Sequence, residues 1–177
     1  RSEGLRVVVD CGYGAAYTVA PTVLRALGAE VIALHDLPDG GRINVRCGST
    51  RPDVLEQEVV AAGADLGFAH DGDADRVIAV DERGGLVDGD HLMAVCALER
   101  LAAGTLPGRA IAATVYSNLG LREAVRAAGG EVVITPNGDR YVLEAMRREG
   151  LAIGGEQSGH IIDRKSTRLN SSHGIIS

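Results

Sequence analysis

A chain of 177 residues with a formal charge of −6 has no electrostatic case for binding nucleic acid or an anionic membrane. Aromatic residues make up only 3% of it, so Ala, Val, Leu, Ile and Gly must fill the interior, a composition that fits α/β layers. That length can build one large core or two small ones.

No apolar run approaches a membrane span and no signal peptide is visible, although the chain opens at Arg1 rather than Met. Cys11, Cys47 and Cys96 are widely spaced and form no Cys-x-x-Cys pair. They read as small buried hydrophobes in a reducing compartment, the cytoplasm.

In chain order, Leu5 to Asp10 reads as a strand and Cys11-Gly12-Tyr13-Gly14 as a glycine-rich turn. A helix over about Tyr17 to Leu27 follows, with Val19, Val23, Leu24 and Leu27 on one face, and Gly28 stops it. Glu30 to Leu34 is the next strand, which makes a βαβ unit with a parallel pair and a right-handed crossover. Gly12-x-Gly14 lacks the third glycine of a dinucleotide fingerprint, so it reads as a tight strand-to-helix turn. Residues 36–50 form a loop, and proline is well placed to start a helix from Pro52 to Ala62.

Two apolar runs, Asp65 to Ala69 and Val77 to Val80, then bracket an acidic stretch, and Glu82 to Gly85 make a hairpin turn. Asp88-Gly89-Asp90 caps a helix through Leu101. After Gly104 the pattern repeats: strand 110–114, helix 118–128, strand 131–134, helix 141–149, strand 151–154. The change of series near Leu86 gives two consecutive α/β domains, 1–86 and 87–163, with mixed, mainly parallel sheets flanked by helices. Residues 164–177 are polar, have neither period nor turn logic, and resemble translated adaptor sequence. They are set aside as a non-native tail.

The most informative stretch is His70-Asp71-Gly72-Asp73-Ala74-Asp75-Arg76. Three carboxylates at i, i+2 and i+4 cost Coulomb energy unless a cation joins them, and the crowding should raise at least one pKa. The cluster reads as a tight connection between the two strands, and period-2 spacing is expected to let the alternate side chains converge on one side. Hard oxygen ligands suit Mg²⁺ serving a phosphate-bearing group, so Asp71, Asp73 and Asp75 are the candidate ligands. Arg76 stands beside them as a second positive charge. An EF-hand is excluded, because Arg76 occupies the position where its sharp turn requires glycine and strands flank the loop.

A second constellation, Gly154-Gly155-Glu156-Gln157-Ser158-Gly159-His160, mixes donors, acceptors and an imidazole on a glycine-flanked loop, which suits polyhydroxyl recognition. Neither a Gly-x-Ser-x-Gly elbow nor a His-x-x-x-His zinc pair occurs.

Five segments carry a resemblance. They are Ile43 to Thr50, Asp71 to Arg76, Val87 to Asp90, Gly138-Asp139-Arg140-Tyr141-Val142, and Gly155 to His160. In this order they are similar to the α-D-phosphohexomutase family, over roughly Leu5 to Asp163. The first and fourth point to its glucosamine-phosphate branch.

The resemblance implies a four-domain parent of which this chain holds the second and third domains. It implies Mg²⁺ on Asp71, Asp73 and Asp75, with Arg76 at the reacting phosphoryl group. Glu156 and Ser158 would bind sugar hydroxyls, and His160 would line the cleft. The implied reaction interconverts glucosamine 6-phosphate and glucosamine 1-phosphate through a phosphoserine enzyme and a bisphosphate, toward cell-wall precursors. The other readings are specificity for mannose or glucose phosphates, and a non-catalytic Mg²⁺- and sugar-phosphate-binding module.

No segment matches the family's serine loop or its Gly-Thr-Glu phosphate loop, and Ser49, Ser117 and Ser158 lack that context. The expected partners are therefore a phosphosugar and the parent's other domains. Oligomeric state is not readable from the sequence.

Overall fold

The computed structural model describes residues 4–164, so the expected non-native tail, 164–177, lies outside the described residues apart from Arg164. The chain divides into two compact units between Leu92 and Met93.

The first unit is built on β1 (Arg6–Asp10), α1 (Ala16–Ala26), β2 (Glu30–Leu34), α2 (Asp53–Ala61), β3 (Leu66–His70), β4 (Val77–Asp81) and β5 (Leu86–Val87). Its sheet has the order β2-β1-β3-β4-β5. β1 lies between β2 and β3 and is parallel to both, whereas β4 and β5 join as antiparallel hairpins. A strand covered on both faces needs consecutive apolar residues, and Val7, Val8 and Val9 are all buried. Leu55 and Val59 of α2 pack on Val8, Ala69, Ile78 and Val80 on one side of the sheet. On the other side Ala16, Ala20 and Leu24 of α1 meet Val9, Cys11 and Phe68.

The division falls inside α3 (Gly89–Ala102), whose buried residues Met93, Ala97 and Leu101 belong to the core of the second unit. That unit continues with β6 (Ala110–Thr114), α4 (Leu119–Ala127), β7 (Glu131–Thr135), α5 (Asp139–Glu149), β8 (Ile153–Gly155) and β9 (Ile161–Asp163). Its sheet order is β7-β6-β8-β9, with β6 parallel to β7 and β8 and β9 antiparallel to β8.

The two units share one plan. In each, the helix after the second strand presses on the strand that follows it at a glycine. A β-carbon on Gly67 would crowd Val59 and Leu55 of α2, and one on Gly154 would crowd Met146 and Val142 of α5. The repeat seen in the sequence is thus a repeat of packing.

The expected elements form, with shifted ends. Helix α5 starts at Asp139 rather than Tyr141, because the Gly138 carbonyl already accepts from Tyr141 and Val142. Strand β8 starts at Ile153 rather than Leu151, whose N–H closes the end of α5 on the Met146 carbonyl. Asn118 caps α4, its Oδ1 accepting from Leu121 N at 3.1 Å.

Cys11 and Cys47 are buried as expected, and burial pushes the Cys11 thiol up to about 12. Cys96 is a correction: it is exposed, because α3 turns Met93, Ala97 and Leu101 inward and leaves position 96 off that stripe. The stripe expected on α1 is also only partly covered, since Val19, Val23 and Leu27 are exposed. No helix among the described residues is long and apolar enough to cross a membrane.

Leu55 and Val60 share α2, yet Leu55 is fully buried and Val60 is 54% exposed. Leu55→Ala is expected to cost about 2–5 kcal/mol in urea unfolding, whereas Val60→Ala stays within about 0.5 kcal/mol.

Candidate metal centre

The acidic loop connects two antiparallel strands whose last paired residues are His70 and Val77. It is a compact turn, the tight connection that the flanking runs imply. Ala74 N donates to the Asp71 carbonyl at 3.1 Å, Ala74 takes the left-handed conformation (φ 61°), and Arg76 N donates to Asp71 Oδ1 at 3.0 Å. The three carboxylates therefore meet because the backbone folds back on itself. The period-2 alternation expected from the spacing is corrected here, since a residue with positive φ interrupts it.

Oxygens of Asp71, Asp73 and Asp75 all lie within 4.8 Å of one another. Asp71 is buried while Asp73 and Asp75 are exposed. Burial, followed by a hydrogen bond and charge repulsion from Asp75 and repulsion from Asp73, raises the Asp71 pKa; the Arg76 N–H opposes this. Arg76 flanks the cluster, with Nε 3.7 Å from Asp71 Oδ2 and 3.9 Å from Asp75 Oδ1. Its guanidinium is half-exposed and spread between two acids, so it offsets the anionic charge without closing the site.

A second set of residues, which the sequence reading passed over, fixes the base of this loop. Asp10 ends β1 fully buried. Its carboxylate accepts from Gly12 N at 2.9 Å and Gly48 N at 2.8 Å, and lies 2.9 Å from His35 Nδ1. One side chain thus ties together the β1–α1 turn, the 47–50 turn and the residue after β2.

Those turns then press on the acidic loop. Ala15 N donates to the Gly72 carbonyl at 2.8 Å. A β-carbon at Gly14 would overlap Gly72, and one at Gly48 would overlap the His70 carbonyl. Gly48 also has φ 67°, so glycine is needed there on two counts. Non-glycine residues with positive φ gather in the same region: Tyr13, His35, Asn44, Arg46 and Ala74. Such backbone is held only where the surroundings over-determine it. The available signal was a carboxylate at the end of three buried valines, followed by Gly-x-Gly.

In the second unit, Gly155 to His160 form the β8–β9 turn. Glu156 N donates to the His160 carbonyl at 2.9 Å and Gly159 N to the Glu156 carbonyl at 3.0 Å. Glu156 Oε1 accepts from Gly138 N at 3.0 Å, which brings this turn to the N-terminus of α5. Ser158 is exposed and His160 half-buried. The structure thus brings together Asp71, Asp73, Asp75 and Arg76 in the first unit. Glu156, Ser158 and His160 stand on the one β8–β9 turn of the second.

Asp10→Ala leaves the Gly12 and Gly48 amides without their buried acceptor, at about 1–3 kcal/mol each. Urea unfolding should show a loss of about 2 kcal/mol or more, and Asp10→Asn, which keeps one acceptor oxygen, should lose less.

Comparison with known proteins agrees with this architecture. The family model described as phosphoglucomutase/phosphomannomutase, alpha/beta/alpha domain II, matches residues 1–85, and that for domain III of the same family matches residues 88–177. The phosphoglucosamine mutase of Symbiobacterium thermophilum is 62% identical over 160 residues, covering 90% of this chain and 36% of that protein. That of Moorella thermoacetica is 59% identical over 159 residues, with 90% and 36% covered. The chain therefore spans 36% of the length of these relatives.

Among solved structures, a phosphoglucomutase/phosphomannomutase family protein of Burkholderia thailandensis superposes with a TM-score of 0.80 at 32% identity, over 90% of this chain and 35% of that one. An Aspergillus fumigatus N-acetylphosphoglucosamine mutase in complex with GlcNAc-6P and magnesium shares the fold, with a TM-score of 0.65 at 23% identity over 93% of this chain and 37% of that one. Two adjoining domain models and a common fold lead to one assignment: this chain belongs to the phosphoglucomutase/phosphomannomutase family.

Proposed function

We propose that the acidic loop binds Mg²⁺ and that the chain is the second-and-third-domain part of an enzyme interconverting glucosamine 6-phosphate and glucosamine 1-phosphate. The observation that carries the metal reading is the convergence of three carboxylates within 4.8 Å, one of them buried and raised in pKa. A divalent ion with bonds of about 2.1 Å spans roughly 4.2 Å between opposite ligands, so small side-chain rotations bring these oxygens to it. The donor set is all hard oxygen, which suits Mg²⁺ rather than a soft transition metal. The magnesium in the Aspergillus relative's structure agrees with this choice. Identity of 62% to a phosphoglucosamine mutase supports the glucosamine assignment over mannose or glucose phosphates.

When bound, the ion supplies charge neutralisation at a phosphoryl oxygen. This chain's own residues do the rest of what it contributes. Asp71, Asp73 and Asp75 hold the ion. Arg76, on the flank of the cluster, neutralises charge on the phosphoryl group in transfer. Glu156 and Ser158 bind sugar hydroxyls, and His160 lines the cleft beside the transferring group. The nucleophilic serine and the clamp on the substrate's other phosphate belong to the parent's remaining domains, in the cytoplasm.

Mg²⁺ at about 100 times its Kd should stabilise the chain by about 2.7 kcal/mol, and Asp73→Asn should remove most of that gain. The raised Asp71 pKa fixes the pH dependence. Without an ion, the folded chain holds the Asp71 proton more tightly than the unfolded chain, so stability falls as pH rises from the unfolded carboxylate value through the raised one. Mg²⁺ competes with that proton. The shift in melting temperature on adding Mg²⁺ should therefore grow from acid to neutral pH; a shift independent of both pH and Asp73 would contradict the metal reading.

In the full-length protein, Arg76→Ala should lower kcat by about 10²-fold, while the 177-residue chain alone should form no glucosamine 1-phosphate. Equal or faster turnover of glucose phosphates by the full-length protein would overturn the glucosamine assignment.

A further inference from the structure

The parallel strands of the second unit end at β7, which pairs with β6 on one side and, among the described residues, with no strand on the other. Val115 N donates to the Thr135 carbonyl at 3.0 Å, so Thr135, and by alternation Val133, turns its main chain toward β6. Val132 and Ile134 turn theirs the other way, and set their N–H and C=O groups along the open edge. The strand reads Glu-Val-Val-Ile-Thr, β-branched at four of five positions, with neither proline nor lysine to blunt it. Such an edge is a template for a further strand.

A cavity of about 200 Å³ lies along that edge, between α4 and the start of β7, and Arg122 and Arg126 line it. Neither guanidinium has an ion-pair or hydrogen-bond partner among the described residues. Like charges four residues apart on a helix repel. The helix dipole accounts for Arg126, in the last turn of α4, but not for Arg122 a turn earlier. Nor does the plan of the fold require the pair. Counting back from Glu30 and Glu131, the first unit has Arg25 in the place of Arg126 but Pro21 in the place of Arg122. Glu131 also lines the cavity, yet strand alternation puts its side chain with Val133, on the α5 face. The arginine pair is therefore an uncompensated positive site beside an unpaired strand.

We propose that the β7 edge docks an extended acidic segment of a partner protein, which adds as a further strand and sets two alternate carboxylates on Arg122 and Arg126. Because β6 and β7 are parallel, α4 runs back alongside β7, and its two arginines stand about 6 Å apart along the helix axis. Side chains on one face of a strand recur at about 6.6 Å, so carboxylates at i and i+2 match both guanidiniums. Each contact is a charge-assisted pair, and main-chain hydrogen bonds to Val132 and Ile134 fix the register. A second copy of this chain is disfavoured as occupant. Two β7 edges paired antiparallel would bring two arginine pairs onto one face of the joined sheet. The chain's own alternate aspartates, at 71–75 and 88–90, are held in a turn and at the start of α3 rather than in an extended segment.

The test uses the full-length protein and a blocked peptide of alternating Thr and Asp. The peptide should bind, protect the amides of Val132 and Ile134 about tenfold against hydrogen exchange, and bind about tenfold more weakly when its alternate amides are N-methylated. Arg122→Gln with Arg126→Gln should weaken it about tenfold and leave turnover of glucosamine 6-phosphate unchanged. No binding at about 1 mM peptide, or equal binding of the N-methylated form, would overturn the proposal without recourse to any variant. Equal binding by the arginine variant would do the same. Inorganic phosphate held at the two arginines as tightly as the peptide would make this a small-anion site and end the docking claim. So would amides of Val132 and Ile134 already protected without peptide: protection that rises with protein concentration identifies a second copy as occupant, and protection independent of it identifies another part of the same protein.

Discussion

Asp71, Asp73 and Asp75 share one short connection with Arg76, and like charges do not gather at such a site without support. The loop cannot relax outward, because its backbone is pinned from behind by Ala15 N on the Gly72 carbonyl and by the close approach of Gly14 and Gly48. Those turns are in turn held by the buried carboxylate of Asp10. The protein thus spends hydrogen bonds and strained backbone to keep an unfavourable charge arrangement in place. Local destabilisation retained by a rigid frame is what a pre-organised cation site requires.

The frame follows from the strand order. β1 is central in the parallel part of its sheet, and the ends of β1 and β3 lie side by side, with Asp10 in register with Ala69. Ligands of open α/β sheets gather beyond the carboxyl ends of such strands, where loops converge. In the first unit that edge carries the acidic loop. At the corresponding edge of the second unit stands the Glu156 turn, tied to the start of α5 through Gly138. One architecture, used twice, presents an anionic loop in one copy and a mixed polar loop in the other. Sequence divergence at those loops, not in the sheets, is what separates their chemistry.

Much of this was legible in the sequence because it rested on local signals. Short continuous apolar runs gave the strands, Gly28 and Asn118 gave helix ends, and the close spacing of three aspartates gave the candidate ligands. Signals that depend on distant partners were not legible. Asp10 looked like the last residue of a strand, and nothing local shows that its oxygens meet Gly48. The tight connection was legible, but the period-2 route expected for its side chains was not what forms, since alanine at position 74 carries no mark of a left-handed conformation. Cys96 was read as buried from its residue type and its distance from the other cysteines, but which face of a helix turns inward is fixed only by the sheet beneath it. The half-covered face of α1 was likewise invisible, because an apolar stripe does not disclose how much of it is covered.

The central claim is that a divalent cation reconciles the three carboxylates of the β3–β4 loop. Anomalous diffraction from crystals grown with Mn²⁺ in place of Mg²⁺ tests it most directly. The account predicts one strong peak within bonding distance of oxygens from Asp71, Asp73 and Asp75. An anomalous map with no peak at that loop, while Mn²⁺ binds elsewhere on the same molecule, would contradict it.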